Sequence, residues 1–325
     1  MLTLVTGGNG FVGRCVVEQL LARGDRVRVV GRQPYPELAA MGVECFQADL
    51  GRAEAAMPLA AAMRGVEVVF HVAAKADIWG PFDHFYRSNV SATQRVVRAA
   101  EKAGVPKLVY TSSPSVAIGE EDLQGVDEST PIPARHLSAY AATKALAEGY
   151  VLARTDLATT AIRPHIIWGP RDPHIFPRLL ARARWGRLVQ IGDGTNLVDV
   201  TYVENAAEAH ILAADALGER SPLRGRPYFV GQEQPVNLWT FINEILQRSG
   251  LKPVRRKVAL STAMRGAGWL EKLYVSLNLP GEPPFTRMLV SQLGRSHWFD
   301  HSAAQRDFGY GPRITTAEGL RRTLG

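Results

Sequence analysis

Cysteine is scarce in this sequence. Of 325 residues only Cys15 and Cys45 carry a thiol, and neither sits in a paired redox or metal-ligand spacing. That excludes a disulfide framework and points to a reduced, cytoplasmic compartment. Long apolar runs are missing too. Charge, Gly or Pro breaks every candidate stretch well short of the ~20 residues needed to cross a bilayer. The first strand pattern begins at Leu2, which leaves no room for the basic and apolar regions of a leader. No compact basic run accompanies the formal net charge of +7, so nucleic acid is not an expected partner. The arginine-rich charge either attracts anionic small ligands or simply solvates the surface. Internal repeats, low-complexity linkers and metal-ligand spacings are absent as well.

What is present is rhythm. With 46% hydrophobic residues the chain can bury a large core. Its N-terminal half alternates β-branched runs with helical periodicities, the pattern of a parallel sheet covered on both faces. Strands are expected at 2–6, 26–30, 43–47, 66–71, 107–111 and 159–163, and helices at 53–63, 82–103 and 138–154. Val12, Val16 and Leu20 recur every four residues on one helix face, which Gly24 ends. After Pro164 the rhythm changes, and Gly, Pro and Arg become frequent. The expected fold is therefore α/β: a Rossmann-type doubly wound parallel sheet with a smaller, discontinuous C-terminal substrate lobe. Residues 1–168, joined by about 198–232, form the dinucleotide-binding domain, and 169–197 with 233–325 form the lobe.

Thr6-Gly7-Gly8-Asn9-Gly10-Phe11-Val12-Gly13 follows the first strand and opens the first helix. In that context the glycines allow a tight turn and close approach of a pyrophosphate to the backbone, and the helix N-terminus favours its charge. Gly7, Gly10, Phe11, Val12 and Gly13 are the expected phosphate cradle. An NAD-selective site usually ends the second strand on Asp or Glu. Here Val29-Val30-Gly31-Arg32 stands instead, and Arg32 suits a 2′-phosphate. NADP(H) is thus favoured and NAD(H) remains open, with Arg32 then stacked on adenine or exposed. Asp49, with Leu50, is placed at the adenine, and the small Ala73 and Ala74 beside the ribose.

Tyr140 and Lys144 lie four residues apart, on one helical face. A tyrosine with an ordinary pKa near ~10 is a poor acid–base catalyst at neutrality, and an adjacent ammonium favours its phenolate. Lys144 can do this while holding the nicotinamide ribose. The fifth strand ends Val109-Tyr110-Thr111-Ser112-Ser113, where a hydroxyl points into the ligand crevice. Ser113 is the expected partner of the substrate carbonyl, with Ser112 its rival and turn capping the alternative for both. Asn89 either orders a relay water or is a satisfied helix asparagine.

Together these motifs resemble the extended short-chain dehydrogenase/reductase family over nearly the whole chain. The matching pieces are Thr6 to Gly13, His71-Val72-Ala73-Ala74, Tyr110 to Ser113, Tyr140 to Lys144, Arg163-Pro164-His165-Ile166 and Gly192-Asp193-Gly194 leading to Tyr202-Val203. Tyr110 to Val116, Gly125 to Glu128, Trp168-Gly169-Pro170 and Leu279 to Pro284 are similar to its 3β-hydroxysteroid dehydrogenase branch. The resemblance implies that the backbone after Pro164, at His165 and Ile166, meets the nicotinamide carboxamide. It implies an alcohol–ketone reaction on a carbon β to a carboxylate in an apolar molecule. A 2-alkyl-3-oxoalkanoate is the first expectation and a sterol-4-carboxylate the second. It also implies a homodimer formed through the helices at 82–103 and 138–154.

Sugar nucleotides are the competing substrate class. Enzymes that take them continue Gly-Asp-Gly to a phosphate-binding Arg, and Val198 stands at that place; the acidic pair of sugar dehydratases is also replaced, by Thr111-Ser112-Ser113. A cofactor-sensing protein without catalysis is a third reading, opposed by the intact Tyr140 and Lys144. The apolar stretch 258–279 either packs the lobe or forms a gate or peripheral membrane contact behind Arg255, Arg256 and Lys257. Arg178 and Arg182, one turn apart, either steer a carboxylate or are exposed helix arginines.

Overall fold

β-branched and aromatic residues without alternation build strands that are covered on both faces, and the sheet of this protein follows that rule. In the computed structural model, which describes residues 1–325, seven strands run parallel. They are β1 (Leu2–Thr6), β2 (Arg26–Gly31), β3 (Glu44–Gln47), β4 (Val68–His71), β5 (Lys107–Thr111), β6 (Ala158–Pro164) and β7 (Arg226–Val230). Their spatial order is β3-β2-β1-β4-β5-β6-β7, the doubly wound arrangement, in which the order reverses between β1 and β4. Thr6 pairs with Val30 on one side and His71 on the other, so the carboxyl ends of these strands are level and open one crevice.

Two apolar layers cover the sheet. On one face Val5, Val29 and Phe70 pack with Val16 and Leu20 of the helix Phe11–Ala22 and with Ala207 and Ile211 of Val203–Ala216. On the other, Leu4, Val69 and Leu108 pack with Val96 and Val97 of Ala92–Lys102 and with Ala147 and Val151 of Ala139–Leu152. Glu148 on that last helix grips Arg163 of β6 through two bonds of 2.8 and 2.5 Å, both side chains buried. The Arg163 guanidinium also lies 5.0 Å from the Phe229 ring centroid. A bidentate pair of this kind fixes register more than it adds stability. It locks the helix bearing Tyr140 and Lys144 to the sheet.

A third core, centred on Trp168, Phe176, Trp239, Phe241 and Ile245, belongs to the helices Ile175–Arg184, Leu238–Arg248, Leu260–Ser276 and Arg287–Gly294. Beside it four short strands, Val236–Asn237, Leu197–Val198, His297–Phe299 and Leu123–Val126, form a second sheet. Sequence periodicity does not reveal Leu123–Val126 or His297–Phe299, because each is short and its partner lies far along the chain. The stretch after 300 also differs from a lobe segment: Ala304, Phe308 and Tyr310 return to the first core beside Tyr228.

The expected single helix at 82–103 is divided. Phe82–Phe85 is α-helical, Tyr86–Ser91 widens into a π-turn, and Ala92–Lys102 resumes the α-helix. From the following helix the Thr93 hydroxyl donates to the Asn89 carbonyl of that turn at 2.5 Å, and such widenings often accompany functional sites. No helix is long and apolar enough to cross a membrane.

Candidate active site

The crevice at the carboxyl ends of the strands is a cleft of about 1040 Å³ that continues into the lobe. At its first end the chain turns at Gly7, whose φ of +68° suits glycine, and a Cβ there would lie 2.9 Å from the Ala73 Cα. A Cβ on Gly13 would lie 2.2 Å from the Gly7 carbonyl oxygen. Side chains are thus excluded where a ligand would meet backbone. Gly10 caps the helix with no side-chain bond and no acidic residue in the first turn, so the N–H groups of the first turn have no intrahelical acceptor. These features fit a dinucleotide pyrophosphate.

Gly7, Gly10, Phe11, Val12, Gly13, Arg32, Asp49, Leu50, Ala73, Ala74, Pro164 and Ile166 all line this cleft, as do Ser113, Tyr140 and Lys144. Arg32 is exposed at its edge and forms no ion pair within the chain. Asp49 accepts from the Gly51 N–H at 3.0 Å and faces Arg52 at 3.3 Å. His165 is the exception among the expected residues. Its side chain is buried away from the cleft and bonded to His297 at 2.7 Å, because the backbone turns over between Pro164 and Ile166.

Where the cleft passes the end of β5, three side chains converge. Ser138 caps the helix start by accepting from the Ala141 N–H at 3.1 Å, which sets Tyr140 in the first turn. The Ser113 oxygen accepts from both the N–H and the hydroxyl of Ser115, at 3.2 and 2.9 Å. Its lone pairs are thereby engaged and its own proton is left to donate. Ser112 is buried beside it with an unpartnered oxygen. Burial holds the Tyr140 phenol above its ordinary value, and the Ser113 hydroxyl pulls against that.

Lys144 is buried, with its ammonium donating to the Thr111 carbonyl at 2.5 Å and lying 4.1 Å from the Tyr110 ring centroid. Burial lowers its pKa to about 7, with Glu148 pulling upward. The expected downward pull of Lys144 on Tyr140 is therefore not part of the phenol's balance. The ammonium is directed to a carbonyl and a ring face, and burial decides the sign.

Behind this trio stand two histidines that the sequence pattern does not mark, and Asn89, which it does. His210 donates from Nδ1 to the Ala206 carbonyl and accepts from the Thr111 hydroxyl, each at 2.7 Å. It fixes the residue whose carbonyl holds Lys144. His71 is kept neutral, its pKa lowered to about 3 by burial, and spans Thr6 at 2.7 Å and Thr93 at 2.9 Å. Thr6 in turn accepts from the Ala73 N–H at 3.2 Å. Asn89 is satisfied by the Lys75 backbone at 2.7 and 3.1 Å and by Thr143 at 3.1 Å. Period-two and period-four patterns carry no mark of such bonds. Beyond Tyr140 the cleft wall turns apolar: Leu179, Leu238, Phe241, Ile242, Ile245 and Leu293 line it, with Arg178 and Arg182 at the edge.

A parallel sheet with this cradle, and a tyrosine, a lysine and a serine hydroxyl at its switch point, defines an NAD(P)-dependent oxidoreductase of the extended short-chain dehydrogenase/reductase type. Residues 4–260 match the model of the 3-beta hydroxysteroid dehydrogenase/isomerase family, and the chain belongs to that family. It is 43% identical to a 2-alkyl-3-oxoalkanoate reductase of Stenotrophomonas maltophilia, over 99% of this chain and 98% of that one. It is 36% identical to human sterol-4-alpha-carboxylate 3-dehydrogenase, decarboxylating, over 98% and 86%. Among solved structures, MoeE5 in complex with UDP-glucose and NAD superposes with a TM-score of 0.74 at 28% identity, covering 100% and 97%. The protein acts on a CH–OH or keto group, as the family's reductases and dehydrogenases do.

The buried ammonium carries a stability consequence. Because the pKa of Lys144 in the fold, about 7, lies below the ordinary lysine value, the unfolded chain binds more protons between the two. Its burial therefore costs the fold most below pH 7, and the cost fades as pH rises toward ~10. Lys144→Met is expected to raise the urea midpoint at pH 7, with a gain that shrinks toward pH 10, while turnover falls at least ~10²-fold. A variant less stable than the parent at pH 7, or a gain independent of pH, would contradict this account.

Proposed function

We propose that the protein reduces an apolar β-keto acid, a 2-alkyl-3-oxoalkanoate, to the β-hydroxy acid with NADPH. The observation that carries this reading is the apolar wall beyond Tyr140, with Val198 fully buried in the second sheet where a sugar-nucleotide enzyme would present an arginine. Residues 1–168 with 198–232 hold the cofactor, and 169–197 with the chain from 233 to about 300 hold the substrate, the segment Ala304 to Tyr310 packing on the first core. Gly7 to Gly13 receive the pyrophosphate, Asp49 and Leu50 the adenine, Ala73 and Ala74 the ribose, and the backbone at Pro164 to Ile166 the nicotinamide amide. The bound cofactor supplies the hydride.

The chain's own part is to hold and move one proton. Ser113 donates to the substrate's carbonyl oxygen, its own acceptor sites being taken by Ser115. Tyr140 delivers the proton to that oxygen. Its raised pKa keeps it protonated at neutral pH, which suits the reductive direction. Lys144 keeps donors beyond the bond to Thr111 for the ribose hydroxyls.

NADPH oxidation is expected with a long-chain 2-alkyl-3-oxo acid, and Tyr140→Phe is expected to lower turnover ~10²-fold or more with cofactor affinity nearly intact. A 3-ketosteroid and a UDP-4-keto sugar run in parallel decide the class. Activity confined to the sugar nucleotide overturns the substrate reading, and a preference for the steroid moves it to the sterol substrates.

Arg32 supports the 2′-phosphate preference: it is exposed on the cleft edge beside Gly31, with no carboxylate there to select NAD. Arg32→Ala is expected to weaken NADPH about tenfold and NADH little. Equal losses in parallel titrations would remove the assignment.

Two surfaces extend the reading to partners. Phe82, Tyr86 and Leu146 are exposed on the helical layer at 82–102 and 139–152, which supports a homodimer. Trp185, Trp269, Val275 and Leu277 are exposed on the lobe among Arg184, Arg187, Arg265 and Lys272, which supports a peripheral contact with anionic lipid. Light scattering is expected to give twice the 35.5 kDa chain mass, with co-sedimentation on phosphatidylglycerol vesicles that Trp269→Ser reduces. A monomer at micromolar concentration removes the first proposal, and unchanged sedimentation the second.

A further inference from the structure

Two buried imidazoles join the parts of the molecule that the reaction must bring together. His165 follows the last residue of β6, and its Nε2 lies 2.7 Å from the Nδ1 of His297, on the second sheet. The Nε2 of His297 lies 3.0 Å from the Gln292 carbonyl, on the helix Arg287–Gly294. Because that carbonyl can only accept, His297 carries its proton on Nε2 and receives one from His165 on Nδ1. The rings meet edge to face with centroids 4.7 Å apart, and Phe299 packs edge-on against His165 at 5.7 Å. Burial depresses the pKa of both, so each stays neutral with one proton, as the chain of bonds requires.

The two ends of this chain touch the cleft. At one end stands Ile166, which lines the cleft with φ at +39°, a conformation costly for a β-branched residue and held only where neighbours over-determine it. Thr201 supplies part of that hold. Its hydroxyl donates to the His165 carbonyl at 2.9 Å and accepts the His165 N–H at 3.2 Å, and its N–H reaches the Ile166 carbonyl at 3.3 Å. The imidazole pair lies on the other side of the same backbone, toward the lobe. At the other end, Gln292 belongs to the helix whose Met288, Leu289 and Leu293 wall the substrate end.

We propose that His165 and His297 are positioning residues that hold the strained nicotinamide-facing backbone at Ile166 in register with the substrate wall at 288–293. This rests on the placement of the nicotinamide at Pro164 to Ile166. Removing one imidazole leaves a buried partner unsatisfied and frees the backbone at one end of the cofactor, while the adenosine end, about Gly7 to Gly13 and Arg32, is untouched.

The test measures two affinities on the full chain by calorimetry: NADPH, and the fragment 2′,5′-ADP, which lacks the nicotinamide. His297→Leu is expected to weaken NADPH about tenfold, leave 2′,5′-ADP unchanged and raise the KM of the β-keto substrate. His297→Asn, whose amide oxygen stands near the lost Nδ1, is expected to restore most of the NADPH affinity. Should His297→Leu fail to fold, His165→Phe keeps the ring packing against Phe299, removes the bond, and is expected to show the same split between ligands. Unchanged NADPH affinity, or equal loss for both ligands, overturns the inference. A parent protein that binds NADPH no more tightly than 2′,5′-ADP removes the nicotinamide from this loop, and the inference with it.

Discussion

The bond from the Lys144 ammonium to the Thr111 carbonyl is the constraint on which the site depends. A lysine withdrawn from water needs compensation, and here it comes from a carbonyl at the end of β5 and the face of Tyr110. To stay in place that carbonyl needs its residue fixed, and His210 fixes it by engaging the Thr111 hydroxyl. The helix bearing Lys144 must also hold its height against the sheet, which the Glu148 and Arg163 pair does one turn further on. Tyr140, one turn earlier, inherits its position from both. Burial that costs stability also brings this lysine, ordinarily far above neutrality, to about 7.

The parts of the site legible in the sequence are those where one backbone feature and one side-chain spacing coincide. Gly7 to Gly13 stand between a strand and a helix, and that context gives the glycines their meaning. Tyr140 and Lys144 share a face because helices repeat at 3.6 residues. Ser113 stands where a parallel strand must end. Six of the seven sheet strands are legible for the same reason, since strands buried on both faces read as unbroken β-branched runs; the edge strand β7, which opens on Arg226-Pro227, is not. The two short strands Leu123–Val126 and His297–Phe299 were not legible. Each is only three or four residues long and is defined by a partner more than a hundred residues away.

Illegibility elsewhere has another source. His71 acts by bonding the hydroxyls of Thr6 and Thr93, and Thr93 by bonding the Asn89 carbonyl, and no side-chain periodicity records such bonds. The π-turn at Tyr86–Ser91 is invisible for that reason, since its apolar pattern still reads as a helix. After Pro164, only the path of the backbone decides that Ile166 faces the cleft while the His165 side chain faces His297. The walls at Ile242, Ile245 and Leu293 are hidden differently, for an apolar ligand surface and an apolar core are made of the same residues.

That last ambiguity also explains how one architecture divides its ligands between nucleotide sugars and apolar acids. A sugar nucleotide brings two phosphates into the lobe and needs fixed cations to receive them. In this protein Val198 is paired to Val236 and His297 and fully buried, so that position is committed to packing. Of the cations that line the lobe end of the cleft, Lys75 is paired with Asp77 and Arg178 faces Glu282 at 3.6 Å. Arg182 donates to the Pro284 carbonyl at 2.8 Å, and burial lowers its pKa. Two phosphates would therefore have to break bonds the lobe already makes. A β-keto acid brings one carboxylate, next to the reacting carbon, and its apolar remainder gains from the wall of Phe241, Ile242 and Ile245 at about 25 cal/mol per Å² buried. With the proposed β-keto acid, the energy that a diphosphate would draw from arginine would come instead from excluding water.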